Sequence, residues 1–476
     1  MTSRTVALFV ALAIAFTACD SGGDRTDPSI VRSPRPSRGS EAMPPLKIGL
    51  VGTMTGSGGW RGEDAFEGAD LALHVLNRNV GDGERRYELE VLDDRGDEAR
   101  SLDLLGDLLR RGDTVGIVFA GPSRVLVDAE AALRRAKVPA ILLYGDLYGG
   151  QQLTPHVFQA SPPFVWQARD IARYIARDRG YEKIGVLTEA GTLEGSLASR
   201  AARDALHGYA VDRVVRATYQ ADVRPGLDRL RKQRVEALIV QGQPLVLERI
   251  YGEIAEMRAT YRNSRAARIA SLENRRIRQR RQRTGWWRPQ LFGFDAMMNE
   301  RVAPPPPGTM ATGTYARGVH YLPIPSFQRF RRSFEGWWDS PPRGYEQRGY
   351  EATLALGWAA ERAGDDDIAP ALERLRSRRF GGLPVTLGPD DHLLVEEVTI
   401  GLWTVPFPGD RVGSDPPREF PWVPLARGFS INGETTDILS RDWRSLFRDP
   451  PPHNGPAPRF RKMKFGVTTP RSDPLR

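Results

Sequence analysis

Residues 47–52 read KIGLVG, a short apolar run closed by glycine, and what surrounds that run decides the fold. Phe66, Ala69, Leu73 and Leu76 follow it at helical spacing. YELEVLDD (87–94) then alternates with period two, placing Leu89, Val91 and Asp93 on one face. Leu102, Leu105, Leu108 and Leu109 mark a second helix. VGIVFAG (115–121) is apolar on both faces, as a central parallel strand should be. A helix around Ala129, Leu133 and Ala136 leads into AILLYG (140–145). The order β-α-β-α-β-α-β is that of a doubly wound parallel sheet.

The series then repeats. A helix carrying Ala168, Ile171, Ala172 and Ile175 precedes the strand KIGVLT (183–188). Next come a helix over roughly 197–207, the strand VDRVVRATY, a helix around Leu227 and Leu230, and ALIVQG (237–242). A helix near Val246–Met257 and the strand QLFGFD (290–295) complete the second series. The fold class expected is α/β, two doubly wound parallel-sheet lobes with a cleft between them. Ligands in such sheets bind beyond the carboxyl ends of the strands.

Outward from this body, the amino-terminal end reads as an address. Arg4 supplies a positive charge, and Val6 to Phe16 is an unbroken apolar run of eleven residues. At ~1.5 Å per residue it spans only about half of a bilayer core, so it reads as the apolar part of a signal peptide. Phe16-Thr17-Ala18-Cys19 resembles a bacterial lipobox, in which Cys19 becomes the lipid-modified first residue. Secretory cleavage after Ala15 is the alternative. Residues 20–45 are half Pro, Gly or Ser and read as a disordered tether.

Composition excludes several function classes. One Cys rules out an internal disulfide framework and any Cys-built zinc site, and the six His are scattered with no metal-ligand spacing. Eleven Arg against one acid, Glu273, give the stretch Arg258–Arg288 a charge of +10, whereas the whole chain carries +9. The rest is a near-neutral body, so no chain-wide argument for nucleic acid holds. In Gly56-Ser57-Gly58-Gly59-Trp60-Arg61-Gly62 the third Gly of a dinucleotide fingerprint would fall on Arg61. No phosphate-binding G-x-x-x-x-G-K-[ST], G-x-S-x-G elbow or HExxH occurs. Asp93-Asp94 reads as a strand-end pair capping the next turn, and Asp365-Asp366-Asp367 as a solvated loop. No catalytic constellation, cofactor motif or metal set is recognisable.

LKIGLVGTMTG followed by RGEDAFEGADLALHVLN resembles the opening of the branched-chain-amino-acid (Leu/Ile/Val) binding proteins, the substrate-binding components of ABC transporters. YELEVLDDRGDEARSLDLLGDLL, VGIVFAGPS and AKVPAILL resemble the family's next blocks. HVFQASPPFVWQARDIARYI is similar to its crossover into the second lobe. GYEATLALGWAAERAG is similar to a late helix of the family, with Glu351 for Asp, and FGGLPVTLGPDDHLL to its return hairpin. The resemblance covers roughly 46–405 and implies a periplasmic-binding-protein type I fold with three crossings between lobes. These would fall near 155–162, 310–320 and 378–385. Lobe one would be 46–160 with 318–378, and lobe two 161–317 with 379–405.

The resemblance also implies a ligand site. A free amino acid offers a carboxylate, which suits a helix N-terminus and hydroxyls, and an ammonium, which suits a carboxylate. Mapped residue by residue, Ser123 supplies a hydroxyl and N–H donors. Tyr144-Gly145-Asp146 stands where the family has a small-small-Thr run, and Trp60 falls near an aromatic wall. Thr192 and Gln241 are second-lobe contacts, and Asp295 falls near the ammonium-binding carboxylate. Asp146 in place of Thr would repel a ligand carboxylate, and with Arg61 it favours a more polar or cationic ligand.

The function expected is capture of a small polar, amino-acid-like solute for delivery to an ABC permease, by a monomer lipid-anchored outside the bacterial cytoplasm. It needs no cofactor and no nucleic acid. A sensory receptor of the same fold is the alternative, and an exported hydrolase the rival from a different class. The basic insert reads as an insertion between strands or a contact for anionic surfaces. Four prolines (304–307) form a stiff connector after it. Residues 406–476, with thirteen Pro, read as an extended appendage.

Overall fold

The structure is a computed structural model. It describes residues 44–436 apart from 57, 79, 81–84, 148–153, 212, 264–286, 298–309, 314–324, 343–344, 365, 382–383, 395–398, 404–421, 425–428 and 432–433. The leader with Cys19, most of the tether, the centre of the basic insert, the four-proline connector and most of the tail lie outside the described residues.

The first lobe is built on β1 (Leu46–Gly52), β2 (Tyr87–Asp93), β3 (Thr114–Ala120), β4 (Ala140–Leu142) and β5 (Val157–Gln159). Among the described residues these form a five-stranded sheet in the order β2-β1-β3-β4-β5, with parallel pairing throughout. The helices α1 (Gly59–Arg78), α2 (Glu98–Arg111) and α3 (Ser123–Ala136) connect the strands. Apolar residues on both faces of the strands explain this architecture. Ile48, Leu50, Val118 and Ile141 enter one core with Trp60, Tyr345 and Leu356. Val51, Ile117, Phe119 and Leu142 enter another with Leu105, Leu126 and Leu133. A sheet buried on both faces needs a helical layer on each, and the β-α alternation provides it.

The second lobe repeats the plan. Its helices are α4 (Phe164–Arg173), continued by a π-helical stretch at Tyr174–Arg179, then α5 (Leu193–Gly208), α6 (Arg224–Lys232) and α7 (Pro244–Asn263). Its strands are β6 (Lys183–Glu189), β7 (Arg213–Tyr219), β8 (Ala237–Val240), β9 (Gln290–Gly293) and β10 (Met310–Gly313). The order β7-β6-β8-β9-β10 mirrors that of the first sheet, and all of these pairs are parallel. After the short hairpin of β11 (Arg378–Arg379) and β12 (Pro384–Val385), β13 (Thr399–Trp403) pairs antiparallel with β10. β14 (Trp422–Pro424) extends the same edge, so this part of the Pro-rich tail is a sheet strand.

Two further helices, α8 (Pro325–Trp338) and α9 (Glu346–Ala363), return to the first lobe. There α9 crosses α1 at backbone distance. A Cβ on Gly349 would lie 2.4 Å from the Ala65 carbonyl oxygen, and one on Gly68 would collide with the Glu346 carbonyl. The backbone of β5 is bonded by the chain returning from α9: Leu394 N–H donates to the Gln159 oxygen (2.8 Å) and Gln159 N–H to the His392 oxygen (2.9 Å). Val385, Leu387 and Leu394 lie in the first core, so the crossing expected near 378–385 falls after Leu394. The reason is apolar burial: the hairpin's inward residues belong to the Ile48–Leu372 core rather than to the second lobe.

Candidate functional site

In both sheets the strand order reverses beside the first strand, between β1 and β3 and between β6 and β8. Connections leave these points in opposite directions, which opens a crevice at the carboxyl ends. The first lobe supplies the turns after β1, β3 and β4, which carry Trp60, Ser123 and Tyr144-Gly145-Asp146. The second supplies the turns after β6, β8 and β9, which carry Thr192, Gln241 and Asp295.

Trp60, the second residue of α1, is 7% exposed. Its ring meets Tyr144 edge-on at 5.3 Å and lies 5.9 Å from Tyr345. Its indole Nε1 is buried with no hydrogen-bond partner among the described residues. The Arg61 guanidinium stands 5.4 Å from the Trp60 ring and 5.9 Å from that of Tyr144, within cation–π range. Tyr144 donates its hydroxyl to the Arg61 carbonyl (3.1 Å). Burial, reinforced by the Asp64 charge, holds this phenol well above its usual range, so it is a neutral donor.

The neighbouring acids are structural. Asp94 accepts from the Thr53 (2.8 Å) and Ser101 (2.6 Å) hydroxyls, and Asp93 from Met54 N–H (2.9 Å) and the Thr55 hydroxyl (2.7 Å). Asp367 is taken up by His156 (3.0 Å) and by the N–H of Ala369 (3.0 Å), so the end of the Asp triplet is a pairing site rather than a solvated loop.

In the second lobe Thr192 caps α5, its Oγ1 accepting from Gly195 N–H (3.0 Å). Gln241 Oε1 accepts from Glu189 N–H (3.2 Å), and its carbonyl takes the Tyr219 hydroxyl (3.0 Å). Glu189 has its carboxyl raised above the ordinary value: burial dominates, Arg61 pulls it back and Glu194 adds to the rise.

Where the lobes meet, the chain answers its own charges. Ser123, fully buried at the start of α3, donates both its hydroxyl (2.7 Å) and its N–H (3.3 Å) to one oxygen of Glu194, in the first turn of α5. Gly145 makes room for this: at φ +90 it adopts a left-handed conformation, and a Cβ there would lie 3.2 Å from Ser123 Cβ and 3.3 Å from the Glu194 oxygen. Asp295, 1% exposed, forms an ion pair with Arg348 of α9, and its carbonyl accepts the Tyr345 hydroxyl. Arg348 also donates to the Leu143 oxygen (3.2 Å) and lies 4.4 Å from the Tyr345 ring. Burial opposes the Arg348 charge, yet Asp295 and Tyr345 more than offset it and raise its pKa.

The structure therefore brings Trp60, Ser123, Tyr144 and Gly145 together at the first-lobe edge, and connects Asp295 to them through Tyr345 and Arg348. Three residues carry structural duties beyond those expected of them. Asp146 Oδ2 accepts from Phe164 N–H (2.8 Å) and so bonds the start of α4 across the first crossing. Thr192 caps its own helix, and Asp295 is already paired. Glu194, Tyr345 and Arg348 were missed. No sequence signal singles out Arg348, because its helix opens Glu346-Gln347-Arg348 and carries further charges at Glu351, Glu361 and Arg362. Among the described residues no three or more His, Cys, Asp or Glu gather as metal ligands.

Paired sheets of equal order are those of the type I periplasmic-binding-protein fold. Residues 45–250 match the family model described as periplasmic binding protein. The chain resembles a type 1 periplasmic binding protein from Bordetella pertussis Tohama I, at 17% identity and TM-score 0.63, over 78% of this chain and 100% of that one. It is also similar to the branched-chain amino acid substrate-binding protein LivJ from Streptococcus pneumoniae, solved with isoleucine (16% identity, TM-score 0.60, 76% and 96% covered). A solute-binding protein of an ABC transporter from Rhodopseudomonas palustris BisB5, solved with 3,4-dihydroxybenzoic acid, is similar to the same degree (16% identity, TM-score 0.60, 75% and 93% covered). No curated protein matches the chain by sequence.

Proposed function

We propose that this chain is an extracytoplasmic solute-binding lipoprotein that takes a small polar, amino-acid-like molecule between its lobes and hands it to an ABC permease. The observation that carries this reading is the facing of two switch points, with Trp60, Ser123 and Tyr144 on one side and Thr192, Gln241 and Asp295 on the other. Binding of this kind needs no chemical step. Ligand shifts the balance between open and closed lobes by its differential affinity for the two. Neighbours of the same fold hold ligands as different as isoleucine and 3,4-dihydroxybenzoic acid, so the pocket residues decide the ligand.

Lipid attachment at Cys19 and the tether of residues 20–45 would hold the body beside the permease. Among the described residues no helix is long and apolar enough to cross a membrane. The test is a thermal-shift screen of the purified chain against amino acids, amides, polyamines and short peptides. A true ligand at ~100 Kd adds about 2.7 kcal/mol, a readily resolved rise. The reading fails if no solute raises the melting temperature in a concentration-dependent way.

A further inference from the structure

The donors that would hold a ligand carboxylate are already used. Ser123 N–H and hydroxyl, at the amino end of α3, both point at one Glu194 oxygen, and Glu194 is carried by the opposite lobe. The same carboxylate sits in the first turn of α5, so two helix N-termini converge on it and both dipoles favour its charge. The counterpart for an ammonium, Asp295, is held by Arg348. What is left with unmet hydrogen-bonding capacity beside them includes Arg61 Nε, whose charge acts on Glu189. Trp60 Nε1 is a buried neutral donor, and Asp295 Oδ1 is a buried acceptor with no partner among the described residues. Both border the Trp60–Tyr144–Tyr345 aromatic cluster next to the cradle.

We propose that Glu194 is a specificity-determining residue: a built-in carboxylate that fills the Ser123 cradle and excludes ligands bearing a free α-carboxylate. The inference rests on the interlobe cleft being the solute site and names the class admitted there. A second carboxylate at the cradle would meet the like charge of Glu194 and find both Ser123 donors taken, so the native chain takes molecules whose α-carboxyl is masked or missing, such as amino acid amides and amines. Amides and amines also supply N–H groups for acceptors in the cleft, of which Asp295 Oδ1 is one. Removing the Glu194 carboxylate frees two donors at a helix N-terminus and opens the cradle to free amino acids.

The test measures binding of the common free L-amino acids and their α-amides to the native full chain, E194A and E194Q by thermal shift, with calorimetric titration of each hit. The expected result is that amides bind the native chain at least tenfold better than the matching acids, and that E194A gains at least tenfold for one or more acids with little change for its amide. E194Q preserves the side chain's shape and is expected to move in the same direction, which covers the case of E194A failing to fold. The inference is overturned if the native chain binds an acid as well as its amide, if neither variant gains for any acid, or if a variant changes acid and amide affinities alike. The broader reading of the cleft stands after such failures, provided some other solute from the screen stabilises the native chain.

Discussion

Replacing Arg348 by Met would leave Asp295 as a buried carboxylate without its cation. Both side chains are at most 2% exposed, so solvent cannot take over for the lost partner. Breaking a buried pair from one side costs about 3–5 kcal/mol. The expected loss is therefore about 4 kcal/mol at neutral pH. The double variant R348M/D295N removes both charges and should recover to within about 1 kcal/mol of the native chain. The assay is urea unfolding at pH 7, followed by circular dichroism and tryptophan fluorescence. A single-variant loss below about 1 kcal/mol, or a double variant no more stable than R348M, refutes the reasoning.

Three further outcomes follow from the packing. Gly349→Ala would drive a Cβ to 2.4 Å from the Ala65 carbonyl at the α1–α9 crossing, and forced repacking of this kind costs about 1–3 kcal/mol in the same urea assay. Burial pushes the Glu351 carboxyl up to about 7 from its ordinary 4.5, against the opposing pull of Gln347, Gly381 and Arg348. Its folded-state value is raised, so its stabilisation is full below about 4.5 and is lost as pH rises through 7; E351Q should therefore gain on the native chain between pH 5 and pH 8, by up to about 3 kcal/mol, in paired urea titrations. Thr192→Ala removes the α5 cap and should lower stability by about 1 kcal/mol in thermal unfolding.

The sheets were legible because their strands are short apolar runs that serve both faces, and the strand after each helix could be read in turn. KIGLVG and KIGVLT are the first strands of two equal orders, and that equality fixes where the crevice lies. Ser123, Gln241 and Asp295 could be placed at strand ends for the same reason. Their partners could not be read so. Glu194 lies 71 residues from Ser123, and Arg348 lies 53 from Asp295. No local period links such pairs; only the closing of one lobe against the other brings them together. The bond from Asp146 to α4 was not legible because a carboxylate at a strand end suits a ligand and a following helix equally well, and the helix at Phe164 became visible as its partner only in three dimensions. The hairpin at 378–385 shows the same limit, since its apolar residues fit either core.

The central claim is that one small solute is held between the lobes against Trp60. It is tested most directly by calorimetric titration of the best solute from the screen into the native chain and into W60A. The account predicts one saturable site per native chain and at least a tenfold weaker one in W60A. Heat that does not saturate, or an affinity that the Trp60 truncation leaves unchanged, would contradict it.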